Sequence, residues 1–173
     1  MVPVKQAHRY LLSFGSNLGN RQQNCEQGLQ LLSQYVQDQR CSRWISTAPL
    51  TSSEYDTTDH QYYLNFVVVG SSSLNPPDLY DVIAAIEDRV GHSRVEKWLP
   101  RNLDIDILFY AKDDHQDFIA CSPLKYYSKY NSLEVPHQGF WQRGFLQELV
   151  EQDLGIPLPK LKARHQRPIH EHS

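Results

Sequence analysis

The sequence predicts an α+β sandwich, an antiparallel sheet with helices on one face. Three observations carry that expectation. Short runs rich in apolar, β-branched and aromatic residues occur at 10–14, 62–69 and 103–110. Two stretches with apolar residues at helical spacing, 21–35 and 76–90, separate them. A further short apolar segment at 42–46 completes the order strand, helix, strand, strand, helix, strand.

Each element has a local reason. Tyr10-Leu11-Leu12-Ser13-Phe14, stopped by Gly15, reads as a buried strand. Ser16-Asn17-Leu18-Gly19-Asn20 is turn chemistry able to cap a helix, and Cys25, Leu29, Leu32 and Val36 give that helix one apolar stripe. Trp44 and Ile45 mark a short second strand, and polar residues 47–60, with Pro49, read as a loop. The run at 62–69 is the strongest strand signal in the chain. Asn75-Pro76 is a helix cap followed by proline at the first helical position; Leu79, Val82, Ile83, Ile86 and Val90 continue that helix. A loop at 91–100 leads to the strand at 103–110, residues 111–131 read as irregular, and a helix is expected near 145–150. This order is that of the ferredoxin-like βαββαβ sandwich. One domain is expected over 1–154, with a loosely held polar tail over 155–173.

Composition narrows the function classes. The 173-residue chain carries a formal net charge of −3, so no global field draws it to nucleic acid or an anionic membrane. Its three cysteines, Cys25, Cys41 and Cys121, are widely spaced and form neither a disulfide framework nor a metal motif, which fits a reducing cytoplasm. The first nine residues are polar, unlike a signal peptide, and no run reaches the length of a membrane span. An RNA-binding module on the same sandwich is disfavoured by the acidic balance and the lack of an aromatic RNA-binding signature.

The chemistry centres on Asp104 and Asp106. Strand alternation turns Leu103, Ile105, Ile107 and Phe109 toward the core and sets the two carboxylates on the other face, about 7 Å apart at Cα. Two carboxylates this close repel unless a cation lies between them, and magnesium favours a few carboxylates together with substrate phosphates. A solvated outer face would give the same pattern, so the neighbours decide. Arg89, Arg94, Lys97 and Arg101 place positive charge just ahead of the pair, and His137 and Arg143 form a second cationic element. Cations beside a carboxylate pair make sense if a polyphosphate bridges them. Tyr63 and Asn65 share a face of their strand, where an amide can read a heterocycle edge while an aromatic ring stacks on its face.

Taken together these segments resemble the 6-hydroxymethyl-7,8-dihydropterin pyrophosphokinase family. The matching pieces are Gly15-Ser16-Asn17-Leu18-Gly19-Asn20, Ser46-Thr47-Ala48-Pro49-Leu50, Tyr63-Leu64-Asn65, residues 87–91, Trp98-Leu99-Pro100-Arg101-Asn102-Leu103-Asp104-Ile105-Asp106, Val135-Pro136-His137 and Arg143-Gly144-Phe145. The resemblance implies the sandwich fold and transfer of a pyrophosphoryl group from ATP to the hydroxymethyl oxygen of the pterin, releasing AMP. It implies that Asp104 and Asp106 hold two magnesium ions and that Arg94, Arg101, His137 and Arg143 contact phosphates. Glu87 and Trp98 would line the nucleotide side. The pterin would lie between Tyr63 and Phe145, its edge read by Asn65 and by the backbone of Thr47, Ala48 and Leu50. The implied partners are the two small substrates, without nucleic acid or membrane.

The chain departs from the family pattern at His92, Lys97, Thr51, Gln138 and Ser132, mostly on the nucleotide side. A divergent relative that binds pterin or nucleotide with altered or lost catalysis is therefore the second reading.

Overall fold

At the centre of the sheet lies β1 (His8–Ser16), every position of which from residue 10 onward is buried. The computed structural model describes residues 7–49, 60–91, 100–113, 118, 124–127 and 132–158. β1 pairs antiparallel with β4 (Tyr63–Ser72) on one side and β5 (Asp104–Ala111) on the other. Two short strands, β2 (Gln37–Cys41) and β3 (Ile45–Thr47), both pair with β4, giving the order β2-β4-β1-β5 with β3 beside β4. A separate hairpin joins β6 (Leu124–Tyr127) to β7 (Ser132–Val135).

Helices α1 (Arg21–Leu32) and α2 (Pro76–Val90) begin at the expected caps. The Asn20 side chain accepts from Gln23 N at 3.1 Å and Asn75 accepts from Asp78 N at 3.0 Å, each satisfying a backbone donor that the helix leaves open. Gly91 ends α2 at φ 114°, a conformation that favours glycine. Both helices pack on one face of the sheet, where Tyr10, Leu12, Phe14, Phe66 and Val68 meet Cys25, Leu32, Leu79 and Ile83. Full burial of such side chains contributes roughly 1.5–3 kcal/mol each.

The opposite face has its own apolar core, so the expectation of helices on one face alone is corrected. Leu11, Val67, Val69, Leu108 and Phe109 are covered by a 3-10 turn (Phe140–Gln142), α3 (Gly144–Glu148) and a π-helical turn (Leu149–Asp153). Ile156 and Leu158 are also buried there, so the start of the expected loose tail is packed, while 159–173 lie outside the described residues. Arg43 fastens this layer to the sheet, its Nε and backbone N–H both donating to Asp153.

Three further differences have local causes. A register shift opposite Leu11 and Leu12 places both Leu108 and Phe109 in the second core, so Phe109 does not share a face with Ile105 and Ile107. The expected single strand at 42–46 is two strands broken at 42–44, where Ser42 Oγ accepts from Val67 N at 2.9 Å. The segment expected to be irregular contains β6, whose polar-aromatic alternation Lys125-Tyr126-Tyr127 carries little apolar signal.

Gly70 shows how tightly β2 sits on β4. A Cβ there would lie 2.6 Å from Val36 Cγ1 and 2.9 Å from the Gln37 carbonyl oxygen. Gly70→Ala is expected to destabilise the protein by about 1–3 kcal/mol, because backbone must move to admit one methyl group. An unchanged urea midpoint would refute the close packing.

Candidate active site

The second core ends before the sheet does. Toward the 63 end of β4 and the 104 end of β5, the same face switches from Val67 and Leu108 to Tyr63, Asn65, Asp104 and Asp106. The C-terminal layer stops short of it, leaving an open cleft of about 820 Å³. Strand pairing fixes its plan. Gly15 on β1 is paired with Asn65 on one side and with Asp104 on the other, and Ser13 is paired with Asp106. Small residues on the middle strand thus form the floor between an amide-aromatic wall and a carboxylate wall. Any side chain at the centre would press on the amide wall, since a Cβ on Gly15 would stand 3.0 Å from Asn65 Oδ1 and 3.5 Å from the Tyr63 ring. The Asn65 amide donates to Thr47 Oγ1, which fixes its orientation. Burial, then the Asp104 charge, raise the Tyr63 phenol above its ordinary range, so it stays neutral.

The carboxylate wall is backed by cations. Arg101 Nη1 donates to Asp104 Oδ1 at 2.8 Å. Burial works against the Arg101 charge, but Asp104 more than offsets it, and the guanidinium stays firmly protonated. His137 Nε2 and Arg143 Nη1 each stand 3.8 Å from an Asp106 oxygen. His137 Nδ1 accepts from Gly139 N at 3.1 Å, which leaves the ring proton on Nε2, facing the cleft. A Cβ on Gly139 would lie 3.3 Å from His137 Cε1 and 3.5 Å from Arg143 Cζ, so this glycine lets the imidazole and the guanidinium crowd together.

Thr47, Ala48, Tyr63, Asn65, Arg101, Asp104, Asp106, His137, Arg143 and Phe145 all line the cleft. Glu87 is the exception among the described residues. It approaches β5 from α2, its Oε2 accepting from Ile105 N, between the two carboxylates, at 3.3 Å. Leu50, Arg94 and Trp98, with the departures Thr51, His92 and Lys97, lie outside the described residues. Sequence reasoning overlooked Ser13 and Glu134, both of which line the cleft. Ser13 was legible as the polar break in the apolar run of β1.

Glu87 reports on the charge in front of it. Burial and then the Asp104 and Asp106 charges push its carboxyl up to about 9. The metal-free folded protein therefore keeps a proton that the unfolded chain releases near 4.5. Between those values stability falls as pH rises, by at most about 1.4 kcal/mol per pH unit. Glu87→Gln keeps the acceptor for Ile105 N without this titration. Its melting temperature without metal is expected to gain on the parent between about pH 5 and about pH 8; parallel profiles would contradict the buried, protonated carboxyl.

Such concentrated negative charge is what a divalent cation relieves. No group of three or more His, Cys, Asp or Glu side chains forms a self-contained cage among the described residues. Two cleft-facing carboxylates instead suit a hard cation that completes its shell with water and substrate oxygens, as magnesium does.

The model of the 7,8-dihydro-6-hydroxymethylpterin-pyrophosphokinase (HPPK) family matches residues 11–153. The chain belongs to the HPPK family. Among HPPK relatives, it is 33% identical over 140 residues to a mitochondrial folate synthesis bifunctional protein of Arabidopsis thaliana, covering 80% of this chain and 22% of that protein. It is 32% identical over 119 residues to a 2-amino-4-hydroxy-6-hydroxymethyldihydropteridine pyrophosphokinase of Synechocystis, covering 64% of this chain and 58% of the relative. The Bacillus subtilis enzyme of the same name is 29% identical over 140 residues, 78% of this chain and 71% of that one. The chain thus spans less than two thirds of the first two relatives. The crystal structure of Plasmodium falciparum HPPK-DHPS superposes with a TM-score of 0.60 at 16% identity, covering 88% of this chain and 40% of that one, a likeness of fold. Among the described residues no helix is long and apolar enough to cross a membrane.

Proposed function

We propose that this chain transfers pyrophosphate from ATP to 6-hydroxymethyl-7,8-dihydropterin, releasing AMP, within folate synthesis. The observation that carries the reading is the row Asn65–Gly15–Asp104, which sets a ring-reading wall across a glycine floor from a carboxylate wall. The sheet order β2-β4-β1-β5, with α1 and α2 on one face, supports a ferredoxin-like frame for the domain.

Asp104 and Asp106 would hold magnesium, two ions in this reading. When bound, the metal neutralises charge on the triphosphate and favours displacement at the β-phosphorus. Arg101, His137 and Arg143 supply fixed donors to phosphate oxygens, and Arg94 is a further phosphate contact in this reading. The Nε2–H of His137 is held for such an oxygen by the Gly139 contact behind the ring. Tyr63 and Phe145 sandwich the pterin, while Asn65 and the backbone of Thr47, Ala48 and Leu50 read its edge. Held there, the hydroxymethyl oxygen faces the carboxylate wall, and catalysis rests on alignment. Glu87 and Trp98 line the nucleotide side in this reading.

The second reading, a binding protein with weakened catalysis, is favoured by the neutral Ser132 and Gln138 at the nucleotide edge of the cleft. One assay separates the two. Magnesium, ATP and 6-hydroxymethyl-7,8-dihydropterin should yield AMP and pterin pyrophosphate in equal amounts. Absence of pterin-dependent AMP at high protein concentration would overturn the enzymatic reading.

A further inference from the structure

Asp104 is held by Arg101, but Arg101 precedes the first residue of β5 and gains nothing from the sheet ladder. Its main chain is fixed from another element. Asn17, just past the end of β1, donates its backbone N–H to Arg101 O at 3.0 Å, and Asn17 Oδ1 accepts from Arg101 N at 2.8 Å. One residue therefore takes both backbone polar groups of Arg101. Asn17 lines the cleft yet is only 2% exposed, so both bonds are sheltered from water while they are intact.

The turn carrying Asn17 is itself braced. Asn24, in the first turn of α1, donates to Leu18 O at 2.9 Å and reaches Ser16 Oγ at 3.5 Å. Gly19, at φ 68°, reverses the chain in the left-handed region that favours glycine. Polar side chains from α1 and β1 thus meet where the loop before β5 enters the sheet.

We propose that Asn17 is a positioning residue: it fixes the Arg101 backbone so that the Arg101 guanidinium holds Asp104 in the orientation that receives the metal. The alternative is a polar turn whose only role is stability. The two differ in what an altered Asn17 does to metal affinity and in whether that effect passes through Arg101. The inference rests on the carboxylate wall being the metal site, and its readout is independent of turnover.

The test measures Mn2+ affinity by electron paramagnetic resonance, with α,β-methylene-ATP present, alongside pterin affinity, melting temperature and kcat. Asn17→Ala is expected to weaken Mn2+ binding about tenfold and to lower kcat at least as much. Pterin affinity should stay within about twofold, since the wall of Tyr63 and Asn65 does not depend on Arg101. Asn17→Asp, which keeps the acceptor, should stay within about threefold of the parent for Mn2+. In an Arg101→Ala background, Asn17→Ala should add almost nothing to the loss of Mn2+ affinity, as expected of residues acting in series. Unchanged Mn2+ affinity in Asn17→Ala, or fully additive losses in the double variant, would overturn the proposal. Should Asn17→Ala fail to fold, Asn17→Ser takes its place in the same cycle, because its shorter hydroxyl does not reach Arg101 N. If the parent binds Mn2+ with the nucleotide yet makes no AMP, the proposed activity fails while this inference stands or falls on the cycle alone.

Discussion

Replacing Asp104 or Asp106 by alanine is expected to lower kcat by about a thousandfold or more, which corresponds to about 4 kcal/mol of transition-state stabilisation. The two carboxylates line the cleft opposite the amide-aromatic wall, and cations stand close behind both. On the proposed reading, removing either one would leave the triphosphate without half of its metal anchor, and it would release Arg101, or His137 and Arg143, into alternative pairings. Binding of the pterin should survive, because Tyr63, Asn65 and Phe145 lie on other elements. Fluorescence titration of pterin beside a steady-state assay separates the outcomes. Equal loss of pterin affinity and turnover would show that the carboxylates maintain the fold of the cleft rather than a metal.

Arg101→Ala is expected to be nearly as damaging, with kcat reduced by about a hundredfold to a thousandfold. Arg101 does two things at once in this geometry: it reaches Asp104 at 2.8 Å and lines the cleft where phosphate oxygens would lie. Arg101→Lys keeps the charge but replaces a planar fork by a single ammonium group, so only part of the activity should return. A lysine variant with full activity would mean that charge alone matters there. An alanine variant with normal kcat would remove Arg101 from the reacting centre.

Much of this was readable from the chain because it depends on period and local chemistry. Alternation along β5 puts Asp104 and Asp106 on one face whatever lies elsewhere, and Asn75-Pro76 announces the start of α2 by capping chemistry. Residues whose role arises from another strand or helix were harder to read. Glu87 has the same helical neighbours whatever it faces, and its bond to Ile105 N arises only from the packing of α2 against β5. Phe109 shows the same limit, since a register shift against β1 carried it into the second core. The packing of Ile156 and Leu158 was hidden by a polar, proline-containing context that resembles a tail. Asn17 looked like ordinary turn chemistry because its partner lies 84 positions away along the chain.

Gly15 also has a metric consequence. With Asn65 and Asp104 both paired to it, the two walls stand two interstrand spacings apart, about 9.5 Å. That separation is set by backbone hydrogen bonds and does not vary with loop length or side-chain choice. On the proposed reading, the middle strand would act as a ruler between acceptor and donor. Change in the surrounding loops would then retune how tightly each substrate is held, while the spacing between the two walls stays the same.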